Sequence, residues 1–282
     1  MERDGNGWVE CDQGHRHWGR HGAAGLLVHS VDDEGGLRLL LQHRAEWCHH
    51  GGTWGLPGGA RDSHETVEQA ALREASEETA LDVTQVRTRH TFVDDHGGWS
   101  YTTVYGDALT QLDTVPNDES AALEWVPAER VDALPLHPGF GHTWPRVRLG
   151  PLAVVVDLAN VMGSRPDGWW KDRLGAAERW GVELAPVRTM TVRIGDQVGV
   201  ITALHMVVEG QARDASLPKG VTTVRAPGSG DDAIVEAVSA LAAAGTDIVV
   251  VTSDRQLRRR VDDVGRGRTS VVGPGWLTDL LT

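Results

Sequence analysis

Residues Gly59–Leu81 have the sequence GARDSHETVEQAALREASEETAL, the most informative segment of the chain. Glu74, Glu77 and Glu78 stand at positions i, i+3 and i+4, so a helix would bring their carboxylates together on one face. Three carboxylates at that spacing repel one another, and a hard cation that prefers oxygen ligands would offset the repulsion. The pattern predicts a helix, from about Ser63 to the end of the segment, that carries a metal site.

The residues around the three glutamates support this interpretation. Arg73 precedes the first of them and can donate two parallel hydrogen bonds to a carboxylate, which would fix its orientation. Asp62 is a suitable N-cap, and Glu65 three residues later completes the pattern of a capping box. Gly58 and Gly59 lie in a loop where the backbone can turn sharply and approach a ligand closely. We therefore expect both glycines to contribute to substrate binding.

The spacing resembles the signature of the Nudix hydrolases, which is Gly, five residues, Glu, seven residues, then Arg-Glu-hydrophobic-any-Glu-Glu-any-Gly-hydrophobic. Every position matches except that Ala80 replaces the last glycine. If that position needs a left-handed backbone, alanine costs about 1 kcal/mol relative to glycine without removing a ligand. The resemblance covers about residues 20–148 and implies an α/β/α sandwich with a mixed sheet.

The resemblance also implies roles for individual residues. The three glutamates would bind Mg²⁺ or Mn²⁺, Arg73 would hold one of them in place, and Glu65 would be largely structural. The family hydrolyses a nucleoside diphosphate linked to another group, and the metal polarises the pyrophosphate and lowers the pKa of the attacking water. A further acidic group usually lies outside the signature, and Glu119 of the pair Asp118–Glu119 is the candidate base or extra ligand. A solvated pair of loop acids is the alternative.

The distribution of charge divides the chain into two parts. The net charge of the 282 residues is −13; residues 1–150 carry 24 Asp or Glu against 12 Lys or Arg, and residues 151–282 carry 16 against 15. The stretch around this change is punctuated by Pro135, Pro138, Pro145 and Pro151. We therefore predict two domains, one of residues 1–148 with its core at about 20–148, and one of residues 151–282.

The composition excludes several classes of protein. Hydrophobic residues make up 40% and charged residues 24% of the chain, which excludes wholesale disorder, collagen and coiled coil. No apolar run approaches the ~20 residues that span a bilayer, and the polar N-terminal segment has no secretory h-region. Two cysteines are too few for a disulfide scaffold. We therefore expect a cytoplasmic protein with no membrane partner.

In the second half, strands alternate with helices, which predicts an α/β domain with a mainly parallel sheet. Asp157 ends one apolar strand and Asp254 follows another. Parallel strands deliver their carboxyl ends to one edge of the sheet, where open α/β sheets bind ligands. Asp231, with Asp232 as its alternative, opens a helix that would reach the same edge. The sequence therefore predicts a carboxylate cluster that holds metal ions and supports phosphodiester hydrolysis.

This pattern looks like the NYN family of PIN-like nucleases, and the segment Thr252-Ser253-Asp254-Arg255-x-Leu257 matches a motif near the end of that family. The resemblance covers the predicted second domain. It implies that Asp157, Asp231 and Asp254 bind metal and that Asn160 organises the site. The simpler alternative is that Asp231 and Asp254 only cap helices.

A local cluster of arginines near the end of the chain would suit the phosphates of RNA, and a solvated helix face is the alternative. The cluster consists of Arg255, Arg258, Arg259, Arg260, Arg266 and Arg268. The partners implied by the two resemblances are therefore a nucleotide substrate for the first domain and RNA for the second.

Two further groups of residues have weaker patterns. Zinc ligands are offered by Cys11, His15 and His17 together with Cys48, His49 and His50, but the spacings match no common zinc pattern. Loop residues beside a substrate cleft are the simpler interpretation. Four tryptophans could stack on a nucleotide base: Trp8, Trp18, Trp47 and Trp54. Packing in the hydrophobic core explains most tryptophans more simply.

These observations predict a two-domain hydrolase. The first domain would cleave the pyrophosphate of nucleoside triphosphates or related compounds, and the second would be an RNA-directed nuclease. The alternative is a nucleotide-sensing or RNA-binding regulatory protein in which one or both domains are catalytically inactive. Because all three glutamates of the signature are present, the sequence favours a catalytically active first domain over an inactive one.

Overall fold

A computed structural model describes residues 3–32 and 34–281, which form two compact units divided between Leu149 and Gly150. The strands of the first unit are β1 (Trp8–Glu10), β2 (Arg16–Trp18), β3 (Ala23–Val31), β4 (Leu37–Arg44), β5 (Trp54–Gly55), β6 (Gly58–Ala60), β7 (Val86–Asp95), β8 (Ser100–Ala108) and β9 (Ser120–Pro127). Its α-helices are α1 (Val67–Thr79) and α2 (Pro138–Val147).

The sheet of the first unit is mixed. Within the described residues it has seven strands in the order β5-β4-β3-β8-β7, with β6 beside β3 and β9 beside β4. Strands β3 and β8 run parallel, whereas the other neighbours are antiparallel. Strands β1 and β2 form a separate hairpin. The mixed α/β architecture predicted for this half is confirmed.

Helix α1 packs on the sheet through small side chains. All nine residues of β3 are buried, as expected for a strand covered on both faces. Ala70, Ala71 and Ala75 of α1 are completely buried in one hydrophobic cluster with Leu26 and Val28 of β3. Alanines allow the helix to lie close to the strand, and this packing fixes the helix that carries the three glutamates.

The start of α1 differs from the sequence prediction. The N-cap is Thr66, whose hydroxyl accepts a hydrogen bond from the Gln69 amide, while the Gln69 side chain accepts one from the Thr66 amide. The predicted capping box of Asp62 and Glu65 is therefore wrong. The Asp62 side chain is committed elsewhere, because it accepts a hydrogen bond from the amide of Gly5 at 2.7 Å. Glu65 closes the turn before the helix by accepting a hydrogen bond from the Asp62 amide at 3.0 Å.

Helix α2 lies in the proline-punctuated stretch that precedes the predicted domain boundary. Pro138 occupies the first turn of α2, where the missing amide hydrogen is no loss. Pro145 lies inside the helix and removes one hydrogen bond. Phe140, Trp144 and Val147 are buried along one face, and their burial outweighs that loss.

The second unit is an α/β domain. Its strands are β10 (Gly150–Asp157), β11 (Thr191–Ile194), β12 (Gln197–Val208), β13 (Val221–Arg225), β14 (Asp247–Val251) and β15 (Thr269–Val272). Its α-helices are α3 (Leu158–Gly163), α4 (Arg173–Leu184), α5 (Gly230–Ala243), α6 (Arg255–Val264) and α7 (Gly275–Leu281). Over the described ranges of both units, no helix combines the length and the apolar character needed to cross a membrane.

The sheet of the second unit has a topological switch point. Strands β13-β12-β10-β14-β15 run parallel in this order, and β11 pairs antiparallel with the start of β12. From β10 the chain first builds outward on one side through β12 and β13, and then on the other through β14 and β15. Ligands bind outside the carboxyl ends of the strands at such a reversal. The mainly parallel sheet is confirmed, and β11 is an antiparallel addition.

Helix α1 ends on a strained residue. Ala80 has φ 52° and ψ 20°, the left-handed conformation, and its amide donates a hydrogen bond to the Ser76 carbonyl at 2.9 Å. In this conformation the alanine Cβ crowds the neighbouring carbonyl oxygen, which glycine avoids. The departure from the signature therefore falls at the helix cap and leaves the three glutamates in place.

We expect Ala80→Gly to stabilise the first unit by about 1 kcal/mol, because it removes the left-handed strain. The measurement is urea unfolding of the full chain, followed by a probe of the first unit such as tryptophan fluorescence. The matched control is Ser76→Gly, which lies in right-handed helix and should cost up to about 1 kcal/mol. A destabilising Ala80→Gly would contradict the strain argument.

Candidate active site

Arg73 connects the loop before α1 to the glutamates on α1. Its Nε and Nη2 donate parallel hydrogen bonds to Glu65 at 2.6 and 2.8 Å. Nη1 donates to Glu74 at 2.6 Å and to Glu77 at 3.4 Å, and Nη2 also reaches the Ala60 carbonyl at 3.0 Å. The hydrogen bonds with Glu65 raise the pKa of Arg73 and lower that of Glu65, so both stay charged. Arg73 therefore fixes Glu74 relative to the glycine loop.

Glu78 is the most buried of the three glutamates, with 6% of its surface exposed. Its Oε2 accepts a hydrogen bond from the backbone amide of Gly58 at 2.9 Å. Burial raises the pKa of Glu78 to about 8, and the charges of Glu74 and Glu119 contribute to the increase. A carboxylate in this environment becomes fully ionised near neutral pH only when a cation compensates its charge.

The glycine loop makes room for Glu74. A Cβ atom on Gly59 would lie 2.7 Å from the Cδ of Glu74, which is closer than atoms can approach. A Cβ atom on Gly58 would lie 2.5 Å from the Ala24 carbonyl oxygen, on the strand with which Gly58 pairs. Burial also raises the pKa of Glu74. The two glycines are therefore required for the close approach of α1 to β6 and of β6 to β3.

The three glutamates fit a hard divalent cation by donor type and charge. All their ligating atoms are carboxylate oxygens, and two of the three side chains are partly desolvated, so a cation would offset their burial. Their oxygens do not all converge: among the described residues, the clusters whose ligating atoms lie within 4.8 Å of one another do not include this triad. The reason is that Arg73 binds Glu74 and Glu77, and Glu77 also pairs with Arg3.

A cleft of about 810 Å³ opens beside α1 in the first unit. Glu74, Glu78 and Glu119 lie in its lining, and Asp118 of the predicted acidic pair lies outside it. Glu119 is exposed and close enough for its charge to raise the pKa of Glu78. Of the pair Asp118–Glu119, the structure therefore brings only Glu119 to the glutamates.

Three tryptophans contribute exposed rings to the same cleft. Trp8, Trp18 and Trp47 are 46%, 44% and 69% exposed, and the rings of Trp8 and Trp18 meet edge to face at 5.5 Å. Core packing is therefore the wrong interpretation for these three residues. It is correct for Trp54, which is buried and stacks on His43 at 4.8 Å. An exposed indole in a cleft offers a stacking surface for a nucleotide base.

The cysteines and histidines of the first unit do not form the single combined group suggested by the sequence. Within each of two separate clusters the ligating atoms lie within 4.8 Å of one another; the first is Cys11, His15, His17 and His96, and the second is His49, His50 and His137. Among described residues, Cys48 belongs to neither, and its thiol lies 3.7 Å from the Glu119 carbonyl. His96 and His137 were missed because they come from distant parts of the chain.

In the second unit, Asp157 lies at the switch point, at the carboxyl end of β10. Its Oδ2 accepts a hydrogen bond from the Thr252 hydroxyl at 2.8 Å, and its Oδ1 accepts one from the Asn160 amide at 3.1 Å. The Asn160 side chain in turn accepts hydrogen bonds from the amide and hydroxyl of Ser253 at 2.9 and 2.8 Å. Asp157 and Asn160 thus join the segments that follow β10 and β14.

Further acids lie close to Asp157. Burial raises the pKa of Asp157, and the charges of Asp231 and Glu209 add to the effect. Burial likewise raises the pKa of Asp231, followed by the charge of Asp254. Glu209 comes directly after β12 and accepts a hydrogen bond from the Gly230 amide at 2.6 Å. The sequence interpretation missed Glu209, although it follows an apolar strand just as Asp254 does.

Asp254 and the arginines after it have structural partners. The Asp254 side chain caps α6 by accepting hydrogen bonds from the amides of Gln256 and Leu257 at 2.7 and 2.8 Å. Half of the arginine cluster is also occupied within the unit: Arg258 donates to the Thr252 carbonyl, Arg260 pairs with Asp231 and Asp232, and Arg268 pairs with Asp247. Only part of the predicted basic cluster therefore remains for phosphates.

The first unit is similar to proteins of known family. The model of the NUDIX domain matches residues 19–146. A Mycobacterium tuberculosis protein named "Putative 8-oxo-dGTP diphosphatase 3" is 55% identical over 157 residues, which cover 54% of this chain and 72% of that protein. A "Nucleoside triphosphate pyrophosphatase/Nudix hydrolase fusion protein" of Bifidobacterium longum is 38% identical over 160 residues, which cover 54% of this chain and 33% of that protein.

A solved structure shares the same similarity. The crystal structure of a Nudix hydrolase from M. smegmatis, RenU, has 54% sequence identity and a TM-score of 0.50, and the match covers 51% of this chain and 93% of that chain. The similarity to each of these relatives therefore extends over about half of the chain.

The burial of Glu78 predicts a pH dependence of stability. Its pKa is 4.5 in an ordinary environment and about 8 in the folded protein, so the folded state keeps a proton that the unfolded chain releases. Stability is therefore present in full below the lower value and is lost as pH rises through the upper one. With divalent cations removed by a chelator, we expect the thermal midpoint of the first unit to fall across this range.

Glu78→Gln should make that fall shallower, because glutamine has no proton to lose, and Glu68→Gln on the first turn of α1 is the matched control. Mn²⁺ should restore stability mainly at the alkaline end of the range, where the proton is easily displaced. An unchanged pH dependence in Glu78→Gln would show that the buried carboxyl is not its source.

Proposed function

This chain belongs to the Nudix family, and we propose that its first unit hydrolyses the pyrophosphate of nucleoside triphosphates with Mg²⁺ or Mn²⁺ as cofactor. The observation that carries the proposal is the packing of the half-buried Glu74 and the buried Glu78 against a glycine loop at the wall of a cleft. Gly58 donates to Glu78, and Gly59 admits Glu74, so the loop backbone and both carboxylates lie together. A glycine backbone without side chains lets phosphates approach closely, and carboxylates supply the oxygen ligands that their divalent cation needs.

The roles in this site follow from the side chains. Glu74, Glu77 and Glu78 would hold the divalent cation, which, when bound, neutralises phosphate charge and makes a water more acidic. Arg73 keeps Glu74 in place through their hydrogen bond. Glu119 is exposed in the cleft lining, and we assign it as the base that takes the proton from the attacking water.

The nucleotide is expected to bind between the glycine loop and the exposed tryptophans. Gly58 and Gly59 would approach the phosphates, while the rings of Trp8, Trp18 and Trp47 offer faces for the base. An oxidised guanine nucleotide, 8-oxo-dGTP, is the first substrate to test, because the M. tuberculosis relative carries that substrate in its name. Unmodified dGTP and other nucleoside triphosphates are the comparison substrates.

We expect Glu77→Gln and Glu78→Gln each to lower pyrophosphate hydrolysis about a thousandfold or more, because each removes a charged ligand worth several kcal/mol in the transition state. The assay is release of nucleoside monophosphate and pyrophosphate from 8-oxo-dGTP and dGTP in Mg²⁺ or Mn²⁺. Glu68→Gln makes the same chemical change on the same helix and should retain activity. Turnover like the wild type in both ligand variants would refute the assignment.

We also propose that the two units are separate domains, residues 1–148 and 151–282, and that the second is a NYN-type ribonuclease. Asp157, Asp231 and Asp254 would hold a divalent cation at the switch point, and Asn160 would position the Ser253 segment. The burial of the Asp157 carboxyl and the nearby charges of Asp231 and Glu209 support this proposal, because a cation would relieve their repulsion. Among the described residues, the clusters whose ligating atoms lie within 4.8 Å of one another do not include these three aspartates, so the ion would draw them together. RNA contact would rest on the exposed Arg255, Arg259 and Arg266.

The nuclease proposal predicts that Mn²⁺-dependent cleavage of single-stranded RNA falls at least about a hundredfold in Asp157→Asn. The measurement uses the full chain with Glu78→Gln as background, so that pyrophosphate hydrolysis does not contribute. Asp263→Asn, an exposed aspartate on α6, is the control. Calorimetric titration with Mn²⁺ completes the test: equal isotherms for Asp157→Asn and its background would favour a second unit that is catalytically inactive.

A further inference from the structure

A cluster of zinc-type ligands lies outside the glutamate helix. Cys11 and His15 lie at the turn of the β1–β2 hairpin, His17 lies on β2, and His96 lies in the turn between β7 and β8. One ligating atom from each of the four lies within 4.8 Å of all the others. We propose that Cys11, His15, His17 and His96 bind one Zn²⁺ ion.

The first argument is that two ring nitrogens of this cluster are buried without a partner. His17 Nε2 and His96 Nδ1 have no hydrogen-bond partner among the described residues. A buried polar atom left unsatisfied costs about 1–3 kcal/mol, so native proteins rarely keep two of them together. The two rings lie 4.7 Å apart, and coordination by one metal ion would satisfy both nitrogens.

The second argument is that neighbouring groups hold the rings in place. His96 Nε2 lies 3.3 Å from a carboxylate oxygen of Asp94, which leaves Nδ1 for the metal. Asp94 is itself held by Arg146 at 2.8 Å. A carboxylate behind a ligating histidine fixes the ring and raises its basicity as a ligand. On the other side, His17 stacks on Trp99 with ring centres 4.0 Å apart.

The third argument is the geometry of the hairpin turn. The Cys11 amide donates to the His15 carbonyl, and the Gly14 amide donates to the Cys11 carbonyl, each at 2.9 Å. Gly14 has φ +78°, a conformation that glycine adopts without strain. The turn therefore brings Cys11 and His15 together, and Cys11 is buried, with 4% of its surface exposed.

The donor set identifies the metal and its role. One thiolate and three imidazoles form a four-coordinate set that suits Zn²⁺, whereas Mg²⁺ and Mn²⁺ prefer oxygen. A complete protein shell leaves no position for water, which is typical of a structural site. The ion would fasten the β1–β2 hairpin to the β7–β8 turn. Because Trp8 and Trp18 are on that hairpin, the zinc would hold one wall of the cleft.

The histidine cluster His49, His50 and His137 is the competing site, and it lacks a thiolate. Cobalt separates the two sites, because only a thiolate ligand gives the charge-transfer absorption of a cobalt–sulfur bond. The test is a Co²⁺ titration of the metal-free full chain under a reductant that contains no thiol. We expect this band, with the visible absorption of a tetrahedral site, to saturate at one Co²⁺ and to disappear on adding Zn²⁺.

Two cysteine variants form a matched pair. Cys11→Ser should abolish the charge-transfer band, and Cys48→Ser should leave it unchanged. His15 is exposed, so His15→Asn spares the core and tests the site even if Cys11→Ser fails to fold; it should weaken Co²⁺ binding at least about tenfold. Absence of the band in the wild type, its survival in Cys11→Ser or its loss in Cys48→Ser would each overturn the proposal. The readout does not involve catalysis, so it is independent of the proposed hydrolase.

Discussion

The two parallel hydrogen bonds between Arg73 and Glu65 are the contact on which the acidic site of the first unit depends. The side chains of Arg73 and Glu65 are only 21% and 10% exposed. Neither charge is therefore well solvated, and each depends on the other for compensation. From this anchor the guanidinium reaches Glu74 on the helix and the Ala60 carbonyl on β6. Loss of either partner would leave a partly buried charge uncompensated, and the helix and the glycine loop would lose their common support.

Under the proposed function, the acidic first unit would have to bind an anionic nucleotide against electrostatic repulsion. Residues 1–150 carry 24 acidic against 12 basic side chains. The cleft, however, has Arg3, Arg16 and Arg44 in its lining as well as the glutamates. For the proposed substrate, these arginines, together with a divalent cation, would therefore matter more than the net charge of the unit. Burial of Glu78 serves the same end, because it lowers the number of negative charges near the phosphates until a cation arrives.

Local patterns in the sequence predicted more than long-range ones. The i, i+3, i+4 spacing placed three glutamates on one helix, and the ends of apolar strands located Asp157 at the sheet edge. The predicted helix start was wrong because two consecutive segments, Asp62–Glu65 and Thr66–Gln69, both resemble capping boxes. Only the folded chain shows that the Asp62 side chain accepts a hydrogen bond from the Gly5 amide. His96 meets His17 because the β1–β2 hairpin contacts the β7–β8 turn, where the Asp12 amide donates a hydrogen bond to the Gly97 carbonyl at 2.9 Å. No local pattern encodes this contact between distant parts of the chain.

The first residues that the structure describes contact the loop before α1 and the helix itself. The amide of Gly5 donates to Asp62, the side chain of Asp4 accepts hydrogen bonds from Ser63 at 2.6 and 2.9 Å, and Arg3 pairs with Glu77. A polyhistidine tag fused ahead of these residues would lie beside the acidic site. It would compete with the glutamates for divalent ions. A tag placed at the other end of the sequence would leave the contacts of Arg3, Asp4 and Gly5 unchanged.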